Sequence, residues 1–120
     1  MANILLADDD AATRDFVRRA LEADGHKVTA RTDGQEALDQ LLATPKSFDL
    51  LITDVQMPSL DGISLTRQAV AAVPGLRVML MSGFADELSR ASGIKAARLT
   101  RVTKPFTLEQ LRAEVRAMLA

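Results

Sequence analysis

A chain of 120 residues, 48% hydrophobic and 26% charged, fits one globular domain large enough to bury a core. Its net charge of −1 provides no global basic field for direct DNA binding or for an anionic membrane. The lack of cysteine excludes a disulfide framework and thiol chemistry.

The run Asn3 to Ala7 is short, continuous and apolar, as expected of a first buried strand. It is too short for a signal-peptide core and lacks a basic lead, and no segment is long enough to span a bilayer. The expected compartment is therefore the cytoplasm. Asp8, Asp9 and Asp10 follow at once, and Asp10 is placed to cap a helix starting near Ala11. Phe16, Val17, Ala20 and Leu21 give that helix an apolar face, and Gly25 suits a left-handed cap. Lys27 to Arg31 alternates and reads as an edge strand.

Asp33 followed by Glu36 forms a predicted capping box for a second helix, with Ala37, Leu38, Leu41 and Leu42 on its buried face. Leu50 to Ile52 does not alternate, so it reads as a strand buried on both faces, ending at Asp54. Met57-Pro58 blocks further pairing, and Asp61-Gly62 is a turn signal before a third helix carrying Leu65, Ala69 and Val70. Val78 to Met81 is a fourth strand, ending at Ser82-Gly83, and Phe84 to Ser92 is a weak helix. Leu99 to Val102 is a marginal fifth strand running into Lys104-Pro105-Phe106. Thr107 and Gln110 form a second capping box, ahead of Leu108, Leu111, Val115 and Met118. His26 is expected at the surface, and the five methionines as core filler.

Strands and helices thus alternate five times, which implies a doubly wound parallel sheet with helices on both faces and right-handed crossovers. With no linker or repeat, residues 1–120 form one expected domain without an output domain. The carboxyl ends of the strands then collect Asp8, Asp9, Asp54, Ser82 and Lys104 on the edge where open α/β sheets bind ligands. Clustered carboxylates repel, and a hard divalent cation such as magnesium relieves that repulsion with oxygen ligands. An acidic nucleophile, a metal, a lysine and a hydroxyl together describe a phosphoryl-transfer site. Each residue alone has a plainer role as a turn, a cap or a solvated charge, so the weight lies on their joint placement.

In these motifs, Leu6-Ala7-Asp8-Asp9-Asp10, Thr53-Asp54-Val55-Gln56-Met57-Pro58 with Asp61-Gly62, Met81-Ser82-Gly83 and Lys104-Pro105-Phe106, the chain resembles the CheY-like receiver domain of two-component response regulators. The resemblance runs from Asn3 to Leu119 and implies the flavodoxin-like strand order 2-1-3-4-5. It implies that Asp54 accepts a phosphoryl group from a sensor histidine kinase or a histidine phosphotransfer protein. It implies Mg2+ held by the side chains of Asp9 and Asp54, the Gln56 backbone carbonyl and, through water, Asp8. Lys104 would pair with the phosphoryl oxygens and Ser82 would hydrogen-bond them, and the Lys104-Pro105 peptide would be cis. Such a protein is not an enzyme beyond its own phosphorylation and dephosphorylation.

One position departs from the family. The switch site on the fifth strand, often aromatic, holds Arg101, whose charge resists burial. Coupling from Ser82 would then use Phe84, or a charge partner for Arg101. Gln56 and Phe84 are expected to tune the phosphoryl lifetime. Arg90, Lys95, Arg98, Arg101 and Lys104 occur with no intervening acid. They suggest a docking face for a downstream protein on the fourth helix, fifth strand and fifth helix, set against the plainer reading of a solvated surface. The Met81 to Ala85 stretch is similar to single-domain receivers of the CpdR type, which act as phosphorylation-controlled protease adaptors; a phosphorelay intermediate fits the sequence equally. A flavin carrier would need a phosphate-cradling loop where the three aspartates stand, and this chain has no Trp or Tyr to stack on a flavin. An aspartate-nucleophile phosphatase would want a second aspartate where Gln56 stands.

Overall fold

A computed structural model describes residues 1–120. Five strands and five helices alternate: β1 (Asn3–Ala7), α1 (Ala11–Ala23), β2 (Lys27–Arg31), α2 (Gly34–Ala43), β3 (Leu50–Asp54), α3 (Gly62–Ala72), β4 (Arg77–Ser82), α4 (Ala85–Ser89), β5 (Arg98–Thr103) and α5 (Leu108–Leu119). All strand pairs are parallel, in the order β2-β1-β3-β4-β5. Successive side chains on a strand point to opposite faces, so each central strand feeds two cores. Leu5, Leu51, Val78 and Leu80 pack with α2, α3 and α4. Ile4, Leu6, Ile52, Met79 and Met81 pack with α1 and α5. Leu51 and Ile52 are fully buried, and truncating either to alanine is expected to cost about 2–5 kcal/mol.

The helix starts follow the sequence signals. Asp10, Asp33, Asp61 and Thr107 each accept a backbone N–H three residues ahead. Thr107 and Gln110 complete a reciprocal capping box. The box at α2 is shifted by one residue, because Glu36 takes the Thr32 N–H (3.0 Å) and hydroxyl (2.7 Å) instead of the cap's own amide. Gly25 adopts φ +89°, and the Lys104-Pro105 peptide is cis.

Several expectations need correction. Phe16 and Leu42 are 43% and 51% exposed. At 3.6 residues per turn, each lies about 90° from the centre of its helix's buried stripe, so spacing placed them at the margin of the core. Phe16 packs at that margin against Phe106, with ring centroids 6.4 Å apart. His26 is half-buried and structural: its Nδ1 accepts the Ala2 N–H at 3.1 Å. Met79, Met81 and Met118 fill the core, whereas Met1 is exposed. The fourth helix has only five residues, because Ala85 to Ser89 offers the interior little besides Leu88.

Candidate phosphoryl-transfer site

Sheet register brings the acid groups together. Ala7 pairs with Thr53, so Asp8 and Asp54 leave adjacent strands at the same level. Carboxylate oxygens of Asp8, Asp9 and Asp54 lie within 4.8 Å of one another. Asp8 is fully buried, Asp54 is 13% exposed at its side chain, and Asp9 is exposed. From the far end of β5, Lys104 Nζ reaches Asp54 Oδ1 at 3.1 Å and Asp8 Oδ2 at 3.7 Å. Its backbone N–H bonds the Ser82 carbonyl at 2.8 Å, which ties the β5 and β4 tips together.

Burial pushes the Asp54 carboxyl above the ordinary carboxylate range, against the pull of Lys104 and with a further upward push from Asp9. Burial raises Asp8 as well, opposed by the Asp10 N–H it accepts (2.9 Å) and by Lys104. One lysine therefore does not neutralise the cluster. Asp8 Oδ2 is buried without a hydrogen-bond partner, an expensive state for a carboxylate oxygen. An orphaned oxygen among three carboxylates fits a hard divalent cation. The Arg14 guanidinium holds the acid turn from α1 by donating to the Asp8 carbonyl at 2.8 Å.

The loop after Asp54 is pinned by two glycines. A side chain on Gly62 would strike the Asp54 carbonyl at 2.0 Å, and one on Gly34 would strike the Leu60 carbonyl at 1.9 Å. The Gly62 N–H bonds the Val55 carbonyl at 2.7 Å. Between them Ser59 takes φ +70°, and the Leu60 N–H turns back to the Pro58 carbonyl at 2.8 Å. The sequence offered Gly62 only as a turn residue; its requirement is close approach, which is invisible until the loop is folded. Gln56 stands exposed in this loop.

Ser82 ends β4 beside the cluster and is buried, but its hydroxyl faces α4. It donates to the Glu87 carboxylate and accepts the Phe84 N–H at 3.0 Å. Nothing in the sequence signalled Glu87. Phe84 is 62% exposed. Arg101 is exposed, and its partner is a backbone group rather than the expected charge: Nε donates to the Leu88 carbonyl at 2.9 Å. Four of the five cations of the basic run, all but Lys95, also make contacts within the fold. Arg90 lies 3.6 Å from Asp61, Arg98 donates to the Ala117, Met118 and Ala120 carbonyls, and Lys104 serves the acid cluster. Of the five, Lys104 alone turns into the acid cluster; Arg90, Lys95, Arg98 and Arg101 stay exposed.

Comparison with known proteins identifies the family. The family model described as the response regulator receiver domain matches residues 4–116. The response regulator receiver protein CpdR of Brucella abortus is 39% identical over 119 residues, covering 99% of this chain and 98% of CpdR. The response regulator MprA of Mycolicibacterium vanbaalenii is 38% identical over 116 residues, and there the chain spans about half (49%) of the relative's length. Among solved structures, the receiver domain of the hybrid histidine kinase CckA superposes with a TM-score of 0.83 at 31% identity, covering 98% of this chain and 99% of that one. A receiver domain protein from Clostridium thermocellum reaches 0.87 at 27% identity, covering 99% of this chain and 94% of its own. With the acid cluster, the strand order and these likenesses in agreement, the chain belongs to the response regulator receiver domain family.

Proposed function

We propose that this protein is a phosphorylation-controlled switch in which Asp54 accepts a phosphoryl group from a phosphohistidine. The observation that carries the reading is the convergence of Asp8, Asp9, Asp54 and Lys104 at the carboxyl edge of the sheet. A carboxylate oxygen of Asp54 attacks phosphorus; the P–O bond forms as the P–N bond breaks, and the imidazole departs with the electron pair. Lys104 sits close enough to Asp54 to follow the charge from the carboxylate to the transferred oxygens. Asp9 and Asp54 would hold Mg2+ by their side chains, with the Gln56 carbonyl and, through water, Asp8 completing the set. When bound, the ion would neutralise oxygens of the phosphoryl group and of the acids. Raised carboxyls at Asp8 and Asp54 support this demand for added positive charge.

The donor is a sensor histidine kinase or a histidine phosphotransfer protein. A groove of about 540 Å3 between α1 and the loop from β5 to α5, lined by Ala12, Thr13, Phe16, Lys104, Pro105 and Phe106, supports its docking beside Lys104. Output runs to a partner protein through the face formed by α4, β5 and α5, where Arg101 already links β5 to α4. Mass spectrometry after incubation with Mg2+ and a small acyl phosphate tests the reading. The wild type should gain one phosphoryl group, and Asp54→Ala none. Label retained by Asp54→Ala would overturn the assignment.

A further inference from the structure

Ser82 has one hydroxyl proton, and in the resting fold Glu87 holds it. The carboxylate of half-buried Glu87 accepts it, while the Phe84 N–H occupies a lone pair on the same oxygen at 3.0 Å. The Phe84 carbonyl, at 3.3 Å, is a weaker acceptor for that proton. A hydroxyl can make only one strong donation at a time, and donation to a carboxylate is of the stronger, charge-assisted kind. The next residue, Leu88, is buried and gives its carbonyl to Arg101 on β5 at 2.9 Å. Glu87 and Leu88 are thus fastened from β4 and from β5 at once.

We propose that Glu87 is a positioning residue that competes with the phosphoryl group for the Ser82 hydroxyl and so sets how readily the switch turns on. This rests on the reading of Asp54 as phosphoacceptor. A phosphoryl group on Asp54 must take the Ser82 proton from Glu87. It also brings close to two negative charges toward a fixed third one. Releasing Glu87 loosens α4 from β4 while Arg101 keeps its hold on Leu88. The arginine at the switch position then acts as an anchor for α4, where an aromatic ring would act by burial. The ordinary alternative is that Glu87 is a first-turn acid favoured by the unpaired amides of α4. That role is indifferent to the Ser82 hydroxyl.

A double-mutant cycle separates the two. Beryllium fluoride with saturating Mg2+ serves as the phosphoryl mimic, and backbone amide NMR shifts report its binding. Glu87→Ala should lower the half-saturating concentration of beryllium fluoride by at least about tenfold, the scale of one charge-assisted hydrogen bond. Glu87→Gln, which keeps a neutral acceptor, should fall between. In a Ser82→Ala background only the charge repulsion remains, so Glu87→Ala should have a much smaller effect. In the ligand-free protein, Glu87→Ala should move the Phe84 amide resonance, because the oxygen that amide bonds has lost its acceptor. An affinity that Glu87→Ala leaves unchanged in the otherwise wild-type protein, an equal change in both backgrounds, or an unmoved Phe84 resonance overturns the role of Glu87. A wild-type protein that ignores beryllium fluoride while its Phe84 resonance responds to Glu87→Ala instead overturns the phosphoacceptor reading on which that role rests.

Discussion

Gly62 carries more of the site than its place before a helix suggests. Its backbone lies against the Asp54 carbonyl, 2.0 Å from where a side-chain carbon would be, so any side chain must push β3's last residue or the helix start aside. Gly62→Ala is expected to cost about 2 kcal/mol, within the range for forced overpacking, and to slow phosphorylation by displacing Asp54. Gly75→Ala, where a side chain would meet nothing within 4 Å, is the matched control and should change stability by under about 0.5 kcal/mol. Urea midpoints and single-turnover phosphorylation of the two variants check both statements. Asp54 and Asp9 were legible because they follow apolar runs, and a residue ending a buried strand has few places to go; Lys104 follows the half-exposed β5 and stood out only by its joint placement with them. Glu87, Gly34 and Arg14 were not, because each acts through a partner distant in sequence or at a separation with no local pattern.

At the scale of elements, boundaries followed capping chemistry. Where a cap was written in the sequence, the helix start was found, as at Asp10, Asp33 and Thr107. Phe84 offers no side-chain cap to α4, and that helix is correspondingly short. In the switch proposed above its brevity matters, since that switch requires the segment between Ser82 and the proposed output face to rearrange. At α5 the situation is opposite: Thr107 and Gln110 close one end, and Arg98 gathers the carbonyls of the last turn at the other. Thr107→Ala removes one of the satisfied amide partners and is expected to destabilise the protein by about 1 kcal/mol, measured as a shift in urea midpoint at unchanged slope. The buried stripes of α1 and α2 were overestimated at Phe16 and Leu42, since periodicity gives a direction around a helix but not how far the sheet extends beneath it.

For the molecule as a whole, the two raised carboxyls make stability depend on pH and on divalent ions together. Asp8 and Asp54 bind protons more tightly folded than unfolded. Their contribution is therefore fully present below the unfolded carboxylate pKa of about 3.9, and it is lost as pH rises through their higher folded values. Asp10 and Glu36 are shifted the other way by hydrogen bonds from Thr13 and Thr32, so the wild-type profile is a mixture. The difference between wild type and Asp8→Asn isolates the cluster. In chelator, Asp8→Asn should be the more stable at neutral pH, with the advantage shrinking as pH falls into the carboxylate range. Mg2+ at neutral pH should stabilise the wild type by about 1.4 kcal/mol when the free ion exceeds its Kd roughly tenfold. Protons should erode that stabilisation on the acid side. Thermal melts across pH, with and without the ion, decide the matter.

The doubly wound order leaves β2 and β5 at the margins of the sheet. β2 carries Lys27 and Arg31, and β5 carries Arg98 and Arg101. Each unpaired margin would be an invitation to lateral zipping into aggregates. Here two copies meeting margin to margin would bring cation against cation, so sheet growth from one molecule to the next is self-limiting at low salt.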